Sequence, residues 1–215
     1  MPPAPEKLAS LRHLLAERFP VLPRQAGRVL ASGIPSIDAA RGGLPLGAVT
    51  EVVASRPSSG GHSVLAQLLQ ATRAQHQRVA LVDATHCFDP GSLPPDHLAH
   101  LVWVRCQTCV QAVQATDLLA RDANLHLVCL DLRDVSSADL RRINGTQWYR
   151  LQRAAEPADL ALLVLTSSAC VPSAETRFSL GHSHGFSDLE SERPALTAEL
   201  NAVLDRQRRS IADAG

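Results

Sequence analysis

The sequence predicts an α/β fold in which a mainly parallel sheet is flanked by helices, with an N-terminal helix before it and a C-terminal extension after it. Short apolar runs alternate with longer segments of helical periodicity, a pattern typical of right-handed βαβ units. The runs are apolar at consecutive positions, as expected for strands that helices cover on both faces. A glycine-containing turn joins the first strand to the first long helix, which is the usual context of a phosphate-binding loop.

Composition limits the class of protein. The 215 residues suit one domain with a terminal appendage, and a hydrophobic content of 45% supports a buried core. Lys and Arg number 21, as do Asp and Glu, so net charge does not indicate a nucleic-acid or membrane surface. No apolar run has the length of a membrane span, residues 1–5 lack a signal-peptide pattern, and the five cysteines are scattered. We expect a cytoplasmic protein with reduced thiols and no membrane contact.

The two ends of the chain differ in pattern from its centre. Leucines at helical spacing within residues 6–19 predict a leading helix, which either packs on its own domain or docks on a partner. We divide the chain into an N-terminal helix and linker at residues 1–27, a core domain at 28–170, and a C-terminal loop or hairpin with a helical tail at 171–215.

The core domain carries the alternating pattern. A short helical turn is predicted at Ser36, a helix after the glycine turn, another at 109–121, and a further one around Trp148. Strands are predicted at residues 49–53, 78–83, 101–104, 125–131 and 160–165. Strands and helices of these lengths in this order favour a parallel sheet.

The C-terminal segment changes character after Cys170. Residues 173–191 are polar and contain glycine, which indicates a hairpin or a loose loop. After Pro194, a stripe of apolar residues at helical spacing predicts an amphipathic helix, which either packs back on the sheet or binds a partner in a groove. We favour the partner. The residues of this candidate partner-binding stripe are Leu196, Leu200, Val203 and Leu204.

The glycine turn has the frame of a phosphate-binding loop without its charged residue. A working loop, G-x-x-x-x-G-K-[ST], uses glycines so that backbone N–H groups wrap the phosphates, a lysine for the terminal phosphates and a hydroxyl for magnesium. With Gly61 as the second glycine, Arg56 stands at the first glycine. His62 then replaces the lysine, and Ser63 supplies the hydroxyl. With Gly60 as the second glycine, Gly61 stands at the lysine and His62 at the hydroxyl, so neither alignment supplies a lysine.

Several segments together resemble the core of the RecA recombinase family. Residues 32–47, SGIPSIDAARGGLPLG, are similar to that family's approach to its phosphate-binding loop. Residues 80–90, ALVDATHCFDP, are similar to its I-D-A-E-H-A-L-D-P strand and turn, and Asp131 stands where its Walker B aspartate belongs. The resemblance extends over residues 28–168 and implies a RecA-like sheet with a degenerate nucleotide-binding loop.

The same resemblance implies that ATP hydrolysis is lost. Thr85 stands in place of the glutamate that activates the attacking water, and a threonine cannot accept a proton at neutral pH. Thr166 and Ser167 replace the family's Asn-Gln sensor. With the lysine missing as well, phosphate neutralisation, water positioning and γ-phosphate sensing are all impaired. We expect a pseudo-ATPase without a cofactor, in which Asp131 alone can hold magnesium only weakly, while weak Mg-ATP binding stays open.

A shortened RecA-like core with no ATPase residues and a short tail is similar to ImuA, the RecA-related accessory proteins of bacterial mutagenic translesion synthesis. Residues 141–155, RRINGTQWYRLQRAA, resemble that group in particular. The likeness implies a damage-inducible SOS adaptor that contacts ImuB, the inactive Y-family polymerase relative, and through it an error-prone replicative-type polymerase, with RecA or DNA as weaker contacts. Two alternatives stay open. One is a SulA-like division inhibitor that binds FtsZ. The other is a nucleotide-dependent, DNA-binding RecA paralogue that uses Ser63 and Asp131, with Arg56 or a partner's arginine in place of the missing lysine.

Two further motifs resemble ligand sites. Cys106 and Cys109 form a C-x-x-C at a strand-to-helix turn, where Thr108 can cap the helix. A zinc or redox role would need a second ligand pair or a thioredoxin context, and the sequence has neither. His182 and His184 could reach a metal, but two histidines without a third ligand indicate a solvated loop. We therefore predict no metal site.

Arginines near Trp148 are candidate DNA contacts. Arg142, Arg150 and Arg153 fall within one broad stripe that could meet phosphates. The stripe could equally be a solvated face paired with carboxylates such as Asp139. With a net charge of zero, we expect at most weak, salt-sensitive DNA binding.

Overall fold

The structure, a computed structural model, describes residues 27–207. The leading helix predicted at residues 6–19 lies outside the described residues. The strands are β1 (Val29–Leu30), β2 (Leu44–Pro45), β3 (Ala48–Val53), β4 (Val79–Asp83), β5 (Leu101–Arg105), β6 (Leu127–Asp131), β7 (Ala161–Thr166), β8 (Thr176–Leu180) and β9 (Ala202–Gln207). The helices are α1 (Pro35–Arg41), α2 (Gly61–Ala74), α3 (Pro95–Leu98), α4 (Cys109–Leu119), α5 (Ser137–Leu140), α6 (Gly145–Ala158) and α7 (Arg193–Ala198), with 3₁₀ turns at Pro90–Ser92 and Phe186–Glu190.

A seven-stranded sheet forms the centre of the molecule. Its order is β5-β4-β6-β7-β3-β8-β9, and β1 pairs separately with β2. Every neighbouring pair in the large sheet is parallel except β8 and β9, which are antiparallel. The predicted α/β class with a mainly parallel, helix-flanked sheet is confirmed. Each of the five predicted strands is present, with ends shifted by one or two residues. In residues 27–207, no helix is both long and apolar enough to cross a membrane.

Helices cover both faces of the sheet, and each face has its own core. On β6, Val128 and Leu130 face a cluster that includes Trp148 of α6. The alternate residues Leu127 and Cys129 join a cluster with α1 and α2 on the opposite face. This two-sided burial explains why the central strands are apolar at consecutive positions.

The C-terminal segment belongs to the sheet, which corrects the predicted tail. β8 adds to β3 in parallel and β9 returns antiparallel to β8. Helix α7 ends at Ala198, and the chain then turns at Leu200 into an extended strand. The Ser36 hydroxyl fixes this turn, because it donates to the Leu200 carbonyl (2.6 Å) and accepts from the Ala202 N–H (3.1 Å).

The predicted partner-binding stripe is therefore not one face of a helix. Leu196 lies half-buried on α7, and Leu200 is 3% exposed in the turn. Val203 and Leu204 point to opposite faces of β9, with Val203 49% exposed and Leu204 packed against the core. A strand alternates its side chains, so Ala202 and Leu204 turn inward where a helix would have placed Leu200, Val203 and Leu204 together.

A buried ion pair holds β8, a strand that the sequence did not predict, to the rest of the sheet. Glu51, in the middle of β3, has no exposed surface and accepts from Arg177 Nε of β8 at 2.6 Å. The same carboxylate accepts from the backbone N–H groups of Cys170 (2.8 Å) and Val171 (3.2 Å) and from the Thr166 hydroxyl (3.2 Å). One carboxylate thus fixes the end of β7, the connection after it and β8.

The packed turn makes a prediction about stability. Leu200→Ala should lower the free energy of unfolding by about 2–5 kcal/mol, because the side chain is buried against the phosphate-binding-loop region. Val203→Ala, on the exposed face of β9, should change it by less than about 0.5 kcal/mol. Urea unfolding of both variants measures the difference. Equally small effects would contradict this turn and support a docking helix.

The buried ion pair makes a second prediction. Glu51→Ala should cost about 3–5 kcal/mol, because it leaves the Arg177 guanidinium and two backbone N–H groups without their acceptor. The matched control is Arg142→Ala, which breaks an ion pair whose arginine is 77% exposed and should cost less than about 1 kcal/mol. Similar urea midpoints for the two variants would show that the Glu51 pair does not stabilise the sheet.

Candidate functional site

The candidate site lies at the carboxyl ends of the parallel strands, where α/β sheets commonly bind ligands. A cavity of about 700 Å³ opens between the loop that follows β3 and the segment that follows β8. Five of the six residues predicted for the nucleotide-binding loop line it, namely Arg56, Gly60, Gly61, His62 and Ser63; the other lining residues include Ser59, Arg133, Asp134, Ser167, His184, Asp188 and Leu196. The sixth, Asp131, is buried at the end of β6 and contacts this cavity through Arg133.

The loop has the predicted strand–turn–helix frame. Ser58 and Gly60 both have left-handed backbone conformations, with φ of 57° and 92°, which turn the chain sharply into α2. Gly60 is the residue at the helix N-cap, and its carbonyl accepts from the Val64 N–H at 2.9 Å. A Cβ on Gly60 would clash with the Leu200 side chain. The space that this glycine leaves open is therefore filled by the C-terminal segment.

Arg133, which sequence reasoning did not single out, lies against the first residue of α2. A Cβ added to Gly61 would sit 2.6 Å from the Arg133 Nη1 atom. The guanidinium also donates to both carboxylate oxygens of Asp131, at 2.9 Å from Nε and 2.6 Å from Nη2. Both side chains are largely buried, with Asp131 only 2% exposed. The Arg133 guanidinium thus fills the space beside Gly61 and also pairs with Asp131, the Walker B-like carboxylate.

The ion pair changes what Asp131 can do. Burial acts to lower the pKa of Arg133, but the hydrogen bonds and charge of Asp131 outweigh it, so the pKa of Arg133 is raised and the arginine stays charged. A bidentate arginine–carboxylate pair uses both carboxylate oxygens. Asp131 would have to release Arg133 before it could coordinate a magnesium ion.

The residues at the lysine and hydroxyl positions have different surroundings. His62 Nε2 lies 3.1 Å from the Ser92 hydroxyl. Burial, followed by the charges of Arg133 and Arg193, lowers the pKa of His62 below its usual value. The neutral ring is therefore favoured near pH 7, and His62 does not supply the missing positive charge. Ser63 lines the cavity on the first turn of α2.

The turn after β4 is built around Asp83 rather than around Thr85. Asp83 is fully buried and accepts from the backbone N–H groups of Thr85, Cys87 and Phe88 at 3.2–3.3 Å. The Trp103 indole N–H lies 3.4 Å from the same carboxylate. The Thr85 hydroxyl donates to the Cys87 sulfur at 3.3 Å. Asp83 therefore has a structural role in this turn. Thr85 offers no basic group that could activate a water molecule.

The predicted DNA-contacting arginines are largely ion-paired. Arg142 donates to Asp139 at 2.9 Å, and Arg150 makes a bidentate pair with the buried Asp117 at 3.0 and 2.7 Å. Arg153 is exposed on α6. Both paired arginines remain accessible to solvent, but neighbouring carboxylates offset their charge. DNA contact through this stripe stays a prediction.

The C-x-x-C motif lies at the start of α4, where the Thr108 hydroxyl accepts from the Gln111 N–H at 3.2 Å and caps the helix as predicted. Burial raises the pKa of Cys106, and it raises the pKa of Cys109 to about 11. Thiolates are the reactive form, so these surroundings disfavour redox chemistry at neutral pH. All five cysteines lie within the described residues and are free thiols.

Comparison with known proteins supports the fold. No family model and no curated protein matches the sequence. Among solved structures, the RadB recombinase is similar, with a TM-score of 0.56 and 18% identity; the match covers 70% of this chain and 82% of that one. The chain has a RecA-like fold. At this level of identity the RecA-like likeness concerns the fold alone, and the resemblance to ImuA-type proteins rests on the sequence.

The Arg133–Asp131 pair predicts a specific pattern of stabilities. Arg133→Ala should cost about 3–5 kcal/mol, because it leaves a buried carboxylate without its charged partner. Adding Asp131→Asn removes that charge and should recover most of the loss, which a double-mutant cycle in urea measures. Arg56→Ala, an exposed arginine on the same cavity, is the control and should have little effect. Additive losses in the double variant would show that the two side chains are not coupled.

Proposed function

We propose that this chain is a non-catalytic RecA-like adaptor in DNA-damage tolerance, a pseudo-ATPase that acts through protein–protein contacts. The observation that carries the proposal is the Arg133 guanidinium, which lies against Gly61 and pairs with both oxygens of Asp131. In a working site, phosphate and magnesium would occupy these positions.

Three requirements of phosphoryl transfer are each weakened by a different residue. Phosphate neutralisation needs a cation at the lysine position, where His62 favours its neutral form. Magnesium needs a free carboxylate, and Asp131 is engaged. Water activation needs a base, and Thr85 has none. Losing any one of these groups would slow hydrolysis, and their joint loss supports a site without turnover.

The adaptor role rests on the resemblance of residues 141–155 to ImuA-type proteins and, by analogy, on the fold. In the structure this segment includes most of α6, which buries Trp148 and Leu151 and leaves Tyr149 43% exposed and Arg153 exposed. An aromatic side chain and an arginine on an accessible helix face are residue types enriched at binding hot spots. We propose this face as the contact for an ImuB-like Y-family polymerase relative, and through it an error-prone replicative-type polymerase.

Two measurements on one sample test the proposal. Titration with Mg-ATP should release no phosphate above the level of a Ser63→Ala control, because the site lacks a base and a free metal ligand. The purified chain should bind a purified ImuB-like partner with the same Kd in the presence and absence of Mg-ATP. Tyr149→Ala should weaken this binding about tenfold, equivalent to about 1.4 kcal/mol. Arg142→Ala, outside the proposed face, is the matched control.

Other outcomes would support the alternatives. Phosphate release above the Ser63→Ala level would contradict the proposal that this chain is a pseudo-ATPase. DNA binding that requires nucleotide would favour a RecA paralogue that uses Arg56 as its phosphate-neutralising charge. Binding to FtsZ, with none to the ImuB-like protein, would favour a SulA-like division inhibitor.

A further inference from the structure

We propose that His182, His184 and Asp188 form a Zn²⁺ site in the segment after β8, beside the phosphate-binding loop. Each of the three side chains offers one ligand atom, and these atoms all lie within 4.8 Å of one another. The inference is independent of the proposed adaptor function. It concerns a pair of histidines that the sequence alone assigns to a solvated loop.

The fold places a third ligand, Asp188, beside the two histidines. The 3₁₀ turn at Phe186–Glu190 folds back on the histidines, so that Asp188 Oδ2 lies 3.6 Å from His184 Nδ1. The two imidazole rings meet edge to face, with centroids 5.4 Å apart. Ligand atoms of tetrahedral zinc lie about 3.4 Å apart, given bonds of about 2.0–2.1 Å. Small side-chain rotations of His182, which is exposed, would bring the three atoms into that geometry.

An unsatisfied imidazole nitrogen supports the binding of a ligand at this position. His184 Nδ1 is buried and has no hydrogen-bond partner among the described residues. Its neighbour, the Asp188 carboxylate, is too far away for a hydrogen bond at 3.6 Å. Buried polar atoms are almost always satisfied, so an orphaned imidazole nitrogen facing a carboxylate needs an explanation. A cation placed between the two atoms would satisfy both.

Surrounding hydrogen bonds hold the Asp188 carboxylate and the backbone at His184 in place. The Asp188 carboxylate accepts from the Gly185 N–H at 2.8 Å and from the Ser187 hydroxyl at 3.2 Å. The backbone N–H of His184 donates to the Ser58 carbonyl at 3.0 Å, which ties the chain at this residue to the phosphate-binding loop. Ligands oriented by such contacts bind metals more tightly.

The ligand chemistry selects the class of metal. Two imidazoles and one carboxylate suit zinc, whereas magnesium and calcium prefer sites made wholly of oxygen atoms. Three protein ligands leave the fourth tetrahedral position for water. Because His184 and Asp188 also line the cavity, zinc would make the wall that they form more rigid.

The test uses the full chain without a histidine tag. Zinc is titrated in competition with a chromophoric chelator, and the absorption of Co²⁺ substituted for Zn²⁺ reports the coordination. We expect one zinc per chain and an upward shift of the melting temperature with zinc, since a metal that binds only the folded state stabilises it. His182→Gln and Asp188→Asn should each weaken zinc binding at least tenfold and abolish the shift. His97→Gln, a histidine elsewhere on the surface, and Cys87→Ser, an exposed thiol, should leave both unchanged.

Two outcomes would overturn the site. One is zinc affinity that is unchanged in the His182 and Asp188 variants. The other is zinc binding that disappears in Cys87→Ser, which would assign the metal to a thiolate. Circular dichroism of each variant confirms that the chain is folded, and His182→Gln replaces an exposed side chain, so a loss of zinc binding there reports on the ligand.

Discussion

The buried Glu51 carboxylate is the interaction on which the arrangement of the site depends. It joins β3, which carries the phosphate-binding loop, to β8 through Arg177, and it fixes the turn after β7. A buried charge of this kind is tolerated only when it is paired and fully hydrogen-bonded, so the strands around it are held in one register. Because β8 is fixed, the segment between β8 and β9 is brought over the loop, where Leu200 contacts Gly60.

The surroundings of Gly60 and Gly61 show how this loop differs from a working phosphate-binding loop. In a working phosphate-binding loop, glycines let the backbone approach phosphate oxygens closely. Here the open side of Gly60 contacts Leu200, and the open side of Gly61 contacts Arg133. The protein's own side chains fill the space that the missing Cβ atoms provide. A loop can therefore keep its glycines for packing alone, and the presence of glycine in such a turn does not by itself indicate nucleotide binding.

The sequence was sufficient for the strands that apolar runs define and for the frame of the loop. It was not sufficient for β9, because Leu200 and Leu204 satisfy helical spacing while Ala202 and Leu204 also fit strand alternation. The local pattern cannot distinguish a helix from a strand here, because the strand forms through pairing with β8. Arg133 was not identified from the sequence because its contact with Gly61 joins the segments after β6 and β3, which are far apart in the sequence. A glutamate inside the apolar run AVTEVV was a signal that could have indicated a buried ion pair.

The free energy of the Arg133–Asp131 pair is large enough to weaken nucleotide binding but not large enough to abolish it. Removing one partner of a buried ion pair costs about 3–5 kcal/mol, which sets an upper limit on the cost of separating this pair, and each 1.4 kcal/mol is a factor of ten in affinity. A loop that would otherwise bind Mg-ATP with a Kd of about 1 μM would then bind it with a Kd of at most about 5 mM. Nucleotide with its metal would thus compete poorly with Arg133, an internal cation that is always present.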